Sequence, residues 1–314
     1  MTGGSDTQSK LRAVFLAFVM VTSVFGATVA FSGTVAAGTN TVANSADLQS
    51  ALDNLDRSDD TADTLILEDG RYTTGDVSLT IDETDDLTIR AADGATPVID
   101  VQGSSETDTA IDITADTQVT IENVNITGQD NTDVISADGL SGSTTLTVQD
   151  SFINVSDNEG DAGDVFAIRT NGGGAIDLQN VNIRTVEADA NGDPLQPASS
   201  GSEAAGIFAF EANSVTVSQS TFTELDFAVQ TPDVGTVDIQ DSSFDGFADE
   251  AIIVNTESNG GYAPTVTISG NNFTAIDEAS NGDVGTILFL EDSGSFGSNA
   301  DLNVNNNNFN DASG

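Results

Sequence analysis

The amino-acid sequence predicts an all-β fold, a parallel β-helix of about seven to eight coils with a short N-terminal capping helix. An eight-residue motif recurs seven times between residues 119 and 309, with two alternating apolar residues and a third one five positions after the second. Short apolar runs separated by Gly, Asp, Asn and Ser fill the intervals, and no helical pattern is long enough for crossovers between strands. Each copy therefore supplies one coil that buries its apolar residues against its neighbours.

Residues 1–37 have the pattern of an export signal. Lys10 and Arg12 precede the apolar stretch 13–31, and the small residues 35–37 suit cleavage after Ala37. An uncleaved anchor is the alternative, because 19 largely apolar residues approach the length that spans a bilayer. The segment resembles signal peptides of haloarchaeal surface (S-layer-type) glycoproteins, which implies an extracellular or cell-surface location and a halophilic source.

Residues 38–62 are predicted to form the N-terminal capping region. Leu48, Ala51, Leu52 and Leu55 recur at helical spacing within 45–57, with Ser45 placed as the N-cap. Such a short amphipathic helix suits a lid over the open end of a solenoid. The β-helix itself is predicted over residues 63–314.

The repeat places like residues in columns along the coils. A polar column is expected to form a ladder of amides that hydrogen-bond between turns; it comprises Asn123, Asp150, Asn180, Gln219, Asp241, Gly270 and Asn306. The last apolar column comprises Ile126, Ile153, Ile183, Phe222, Phe244, Phe273 and Phe309. Further apolar runs between the copies supply a third strand per coil, among them 165–168, 207–210 and 252–254.

Over residues 63–314 the repeat resembles the right-handed β-helix family typified by pectate lyases, and the segment DTLILEDGRYTTGDVSLTI is similar to that family's first coil. The resemblance implies a right-handed solenoid. It does not define an activity, because lyases, hydrolases, adhesins and structural proteins share this architecture.

The charge of the chain excludes several classes of protein. Asp and Glu number 51 against 7 Lys and Arg, a formal net charge of −44, so no nucleic acid is expected as a partner. His and Cys are absent, which excludes Ser-His-Asp triads, thiol nucleophiles and the usual zinc sites. The ordered repeat favours adaptation to concentrated salt over intrinsic disorder as the origin of the charge.

Carboxylates are the candidates for catalysis. Residues 131–133 match part of the NTD motif of polygalacturonase-like hydrolases, and Asp249-Glu250 is similar to their paired carboxylates, so Asp133, Asp249 and Glu250 are the candidate catalytic residues. The histidine of that family is missing here. Because the chain is crowded with acids, carboxylate pairs arise without catalysis, and a non-enzymatic role is favoured.

Asp189, Asn191 and Asp193 have the alternating oxygen ligands of a Ca²⁺ loop, but the twelfth loop position is Ser200 where a bidentate Glu is required. A solvated loop is therefore favoured and no cofactor is predicted, with Ca²⁺ as the alternative.

Three N-glycosylation sequons begin at Asn125, Asn154 and Asn272. Strand alternation points all three side chains outward, because each is next to an inward apolar residue.

Together these observations predict an exported cell-surface β-helix protein with a structural, adhesive or glycan-binding role, whose partner is a polysaccharide or cell-surface glycan. The alternative is a polysaccharide lyase or a carboxylate-based glycoside hydrolase acting on extracellular polysaccharide. The last repeat is followed by no capping element in this sequence, so either end-to-end self-association through an uncapped C-terminal coil or a truncated gene product is expected.

Overall fold

Three parallel sheets, each running the length of the repeat, form the fold. The computed structural model describes residues 38–43, 48–53, 55, 62–73, 79–82, 85–101, 109–128, 133–155, 165–185, 204–225, 227–247, 250–256, 264–274, 286–292 and 300–310. Strands are numbered β1–β27 in chain order, and the helix α1 spans Leu48–Asp53.

Sheet 1 has ten strands: β1 (Thr39–Val42), β2 (Asp63–Leu67), β5 (Leu87–Ala91), β8 (Val119–Glu122), β11 (Thr145–Gln149), β14 (Ala175–Gln179), β17 (Ser214–Ser218), β20 (Thr236–Gln240), β23 (Thr265–Ser269) and β26 (Asp301–Asn305). Sheet 2 has nine: β3 (Arg71–Thr73), β6 (Val98–Val101), β9 (Asn125–Gly128), β12 (Phe152–Val155), β15 (Asn182–Thr185), β18 (Thr221–Leu225), β21 (Ser243–Phe247), β24 (Asn272–Thr274) and β27 (Asn308–Asn310). Sheet 3 has eight: β4 (Leu79–Ile81), β7 (Ile111–Ile113), β10 (Ile135–Ser136), β13 (Val165–Thr170), β16 (Ala204–Ala209), β19 (Val229–Pro232), β22 (Glu250–Thr256) and β25 (Thr286–Asp292).

Each coil takes one strand from each sheet, and every strand pairs in parallel with the equivalent strands of the coils before and after it. Among the described residues this makes eight complete coils, from β2–β3–β4 to β23–β24–β25, and the first two strands of a ninth. The predicted all-β parallel β-helix is confirmed.

The core is made of inward columns that run along the coils. In sheet 1 one column is fully buried from Leu65 to Ile268 and ends at Val304, which is 42% exposed. The predicted last apolar column lies in sheet 2 in the expected register. Its phenylalanine rings stack face to face, with centroids 5.1 Å apart for Phe222–Phe244, 4.9 Å for Phe244–Phe273 and 5.3 Å for Phe273–Phe309.

The predicted polar column is not the hydrogen-bonded ladder, and this expectation is corrected. Its six non-glycine residues have φ between 50° and 56° and Gly270 has φ 72°, so the column forms the left-handed turn between sheets 1 and 2. Asn and Asp tolerate this conformation better than most residues. Between neighbouring members of the column, a side-chain hydrogen bond joins Asn180 Nδ2 to Asp150 Oδ1 at 2.6 Å.

The hydrogen-bonded ladder lies one residue further along the chain. Ser242 Oγ donates to Gln240 O at 2.9 Å and accepts from Ser220 N at 3.1 Å, one coil away. Asn271 Oδ1 in turn accepts from Ser242 N at 2.9 Å. These buried groups satisfy backbone donors that the turn removes from the sheets.

The capping region combines a strand with the helix. Leu48, Ala51 and Leu52 of α1 are buried, and the amide of Gln49 bonds both the N–H and the carbonyl of Thr80 in β4. The described helix is shorter than the predicted 45–57, and Ser45 lies outside the described residues. Strand β1, which was not predicted, pairs with β2 ahead of the first coil.

Candidate functional site

The outer surface of sheet 3 has a line of side chains in register from coil to coil, here called the sheet 3 face. Each member is flanked in its strand by buried residues that point into the core, so its own side chain points outward. Its members, in spatial order, are Asp112, Ser136, Arg169, Phe208, Gln230 and Ile253.

Acidic and basic groups occupy one end of this face. Arg169 Nη1 donates to Asp133 Oδ2 at 3.2 Å, and Asp133 Oδ1 accepts from the Phe166 N–H at 3.4 Å. Asp138, which follows β10, accepts from the Asn171 N–H at 2.7 Å and so joins the turns of two coils. Three carboxylates and one guanidinium therefore lie around Ser136.

Two of these carboxyl groups titrate above their ordinary range. Burial raises the pKa of Asp133 despite the nearby charge of Arg169, and the charge of Asp138 raises it further. Burial also raises the pKa of Asp112, against the lowering effect of its hydrogen bond with Ser136. A carboxyl group with a raised pKa keeps its proton to a higher pH than an ordinary one, which is the direction of shift that a general acid requires.

An aromatic cluster occupies the other end. Phe166, Phe227 and Ala205 are buried together outside the main core, and Phe208 and Ile253 pack against them while staying partly exposed. The Phe166 ring centroid lies 5.1 Å from that of Phe208 and 5.9 Å from that of Phe227. We call these five residues the phenylalanine cluster.

Gly206 allows this cluster to form. A Cβ at this position would lie 2.2 Å from the carbonyl oxygen of Ala228, so any side chain would push the neighbouring coil away. The Gly206 N–H bonds Phe227 O at 2.9 Å and holds Phe227 in place.

The sequence contains one signal for the cluster. Adjacent apolar pairs such as Ile207-Phe208 and Ile252-Ile253 break the alternation of a half-buried strand, so one member of each pair must face outward.

Of the candidate catalytic residues, Asp133 and Glu250 are not brought together as a pair. Ile135 and Ile252 belong to the same inward column of sheet 3, four strands apart. Asp133 and Glu250 each lie two residues before one of them. At 4.7–4.9 Å per strand their backbones are about 19 Å apart, wider than the carboxyl pairs of glycosidases. The side chain of Glu250, the whole of Asp249 and the Ca²⁺ candidates Asp189, Asn191 and Asp193 lie outside the described residues.

All three sequon asparagines lie on the outer surface of sheet 2, half-buried between inward residues. Asn125 and Asn272 share one column, five strands apart, and Asn154 faces Thr127 in the next column. The Asn272 Nδ2 donates to Thr274 Oγ1 at 3.0 Å, whereas the Oδ1 of Asn154 is buried. Near them the Arg184 guanidinium lies 4.6 Å from the centroid of the Phe152 ring.

In the part of the chain that the structure describes, no three His, Cys, Asp or Glu side chains form a group that could hold a metal ion. Within the same residues, no helix combines the length and apolar character needed to cross a membrane.

Comparison with known proteins agrees with a parallel β-helix protein of the cell surface. The chain is 32% identical over 199 residues to "Cell surface glycoprotein 2" of Haloarcula hispanica, covering 61% of this chain and 20% of that protein. It is 29% identical over 194 residues to "Cell surface glycoprotein 1" of the same organism, covering 60% of this chain and 20% of that protein. The chain thus spans about a fifth of the length of these relatives. Their similarity supports an extracellular or cell-surface location for this chain.

Solved structures support the fold. A mutant of the PL6 family alginate lyase AlyGC aligns over 90% of this chain and 42% of its own, with a TM-score of 0.53 and 15% identity. At that identity the likeness shows the fold alone. No family model matches the chain.

Proposed function

We propose that this cell-surface protein binds a glycan along the outer face of sheet 3. One observation carries the proposal: a partly exposed aromatic ring, Phe208, lies in register between Arg169 on one neighbouring strand and Gln230 on the other. One side of a pyranose ring carries C–H groups that pack against an aromatic ring, while its hydroxyls need hydrogen-bonding partners.

The geometry of the face suits an extended ligand. Neighbouring strands lie about 4.7–4.9 Å apart, so a chain lying parallel to the coil axis meets polar and apolar side chains in turn. Arg169 donates hydrogen bonds, and Gln230 both donates and accepts them. The Phe208 ring packs against the buried cluster of Phe166, Phe227 and Ala205, which holds it in place.

Phe208→Ala tests this proposal in the mature protein. We expect isothermal titration in molar salt with a panel of oligosaccharides to show binding that weakens at least about tenfold, or about 1.4 kcal/mol, in the variant. Phe152→Ala is the matched control, because that ring lies outward on sheet 2 beside Arg184 and away from the face. Equal affinity of wild type and Phe208→Ala for every bound oligosaccharide would overturn the proposal.

A second candidate function is a polysaccharide lyase or a carboxylate-based hydrolase on the same face. The observation that favours it is Asp133, whose raised pKa and contact with Arg169 give an acid beside a cation. Incubation with acidic and neutral polysaccharides distinguishes catalysis from binding alone. Shortened chains or unsaturated ends that form with the wild type and not with Asp133→Asn would establish catalysis. Unchanged polymers would leave binding as the function.

We further propose that Asn125, Asn154 and Asn272 carry N-linked glycans, which would cover sheet 2 and leave the sheet 3 face bare. Intact-mass measurement of the exported protein tests this, with each Asn→Gln variant expected to lose one glycan mass. An exported protein with the mass of its bare polypeptide would contradict it.

Self-association is the last proposal. Leu302, Val304 and Phe309 of the last described coil are 50%, 42% and 53% exposed, whereas their partners one coil earlier are buried. This exposed end surface suits end-to-end contact with a second copy.

A further inference from the structure

We infer that the glycan bound on the sheet 3 face is uncharged, because the cation of that face, Arg169, is already paired with Asp133 and three carboxylates lie around the neighbouring Ser136. This inference rests on the proposed function and adds the chemical class of the ligand.

The positions of the described arginines carry the first step. Arg71 pairs with the buried Asp100 at 2.6 Å, Arg90 donates to Ala91 O, and Arg184 lies over Phe152 on sheet 2. Of the four arginines in the described part of the chain, Arg169 is therefore the one on the sheet 3 face, and Asp133 already accepts its Nη1. A polymer with a carboxylate on each sugar would find no second cation among the described residues of this face.

The acids of the face carry the second step. Ser136 lies on β10, and Asp112 lies opposite it on the neighbouring strand β7. Asp133 precedes β10 and Asp138 follows it. The charge of Asp138 raises the pKa of both Asp112 and Asp133, so these groups already repel one another. An anionic sugar placed beside Ser136 would add a further negative charge to this cluster.

A neutral sugar adds no charge to this cluster and can form hydrogen bonds with it. Its hydroxyls can donate to the carboxylates and accept from the remaining N–H groups of Arg169 and from Gln230. An excess of acceptors on the protein therefore suits a ligand rich in O–H donors.

Salt does not remove the preference for a neutral glycan over an anionic one. At 1 M salt the Debye length is about 3 Å, so long-range repulsion of a polyanion by the acidic surface is screened. Partly buried charges are screened much less, and Asp133 is one of them. The preference should therefore persist in molar salt, where non-specific repulsion has been suppressed.

The test uses oligosaccharides in matched pairs, each neutral form set against a carboxylated form with the same backbone, and measures affinity for the mature protein in molar salt. We expect the neutral member of the bound pair to bind at least about tenfold more tightly. Asp112→Asn/Asp138→Asn should reduce that ratio at least about threefold, because it removes two charges from the face.

Asp238→Asn/Asp245→Asn is the control, since it removes two charges from sheets 1 and 2 and should leave the ratio unchanged. A carboxylated member that binds as tightly as its neutral form, and that loses affinity in Phe208→Ala, would overturn the inference while leaving the proposed function intact. Binding that Phe208→Ala does not weaken in either form would overturn both.

Discussion

At the scale of single residues, two acids of this chain, Asp112 and Asp116, have opposite effects on stability. Burial raises the pKa of Asp112 above its ordinary 3.8, so the folded protein holds that proton more tightly than the unfolded chain. Hydrogen bonds from Ser141 and Thr144 lower the pKa of Asp116, so folding favours its charged form. Asp112 therefore destabilises the fold increasingly as the pH rises through its folded pKa. Asp116 stabilises the fold above its unfolded pKa and loses that effect as the pH falls through its folded pKa.

Two isosteric variants test this division by thermal unfolding in constant salt. At pH 7 we expect Asp112→Asn to raise the Tm and Asp116→Asn to lower it. Both differences should shrink as the pH falls toward and below the ordinary pKa of 3.8. Shifts of the same sign, or shifts independent of pH, would contradict the assignment.

The stacked phenylalanines allow a second test with an internal control. Phe244 is fully buried between Phe222 and Phe273, so Phe244→Ala leaves a cavity and should cost about 3–5 kcal/mol in denaturant unfolding. Phe309→Ala alters the same column where the ring is 53% exposed and should cost less than half as much. Similar losses for both variants would show that the end of the column is covered in solution.

At the scale of elements, the features that follow from the period of the repeat were predictable from the sequence. The position of the hydrogen-bonded ladder, which depends on backbone conformation, was not. The inward columns were predictable, since a fixed spacing within each copy defines which side chains face the core. The ladder was placed one residue too early because Asn and Asp suit both a left-handed turn and an amide ladder. Only φ values above zero at Asn123 and its equivalents separate the two interpretations.

The ladder makes a specific prediction for stability. Ser242→Ala leaves the buried Ser220 N–H without its acceptor and should lower the free energy of unfolding by about 1–3 kcal/mol. Ser243→Ala changes the next residue, which points outward, and should have an effect within about 0.5 kcal/mol. Denaturant unfolding of both variants measures the difference, and an equal effect would exclude the ladder as a source of stability.

The candidate site was less predictable than the fold. Copies of the repeat are spaced by 22 to 39 residues, so the register between third strands cannot be counted from the motif alone. Asp133 was singled out from a short motif, but its partner Arg169 and the neighbouring Phe208 lie 36 and 75 residues further along the chain. Pairing of β10, β13 and β16 brings them onto one surface.

At the scale of the whole molecule, the first and the last described coils differ in how their apolar residues are covered. α1 buries its apolar residues at the N-terminal end, whereas Leu302, Val304 and Phe309 are exposed in the last described coil. We therefore expect the mature protein to associate in molar salt through this surface, with light scattering showing more than one chain per particle. Leu302→Ser/Phe309→Ser should give a monomer, and a strictly monomeric wild type would contradict the proposal.

The three sheets also differ in what they present to the outside. Sheet 2 carries the sequon asparagines, and sheet 3 carries the phenylalanine cluster with its neighbouring acids and Arg169. Under the proposals above, one surface would carry glycans while another binds them.

A crystal structure of the mature protein grown with the oligosaccharide it binds most tightly tests the account most directly. The account predicts a sugar ring packed on Phe208, with hydroxyls hydrogen-bonded to Arg169 or Gln230 and the ligand running parallel to the coil axis. A sugar bound to sheet 1 or sheet 2, with the sheet 3 face bare, would contradict it.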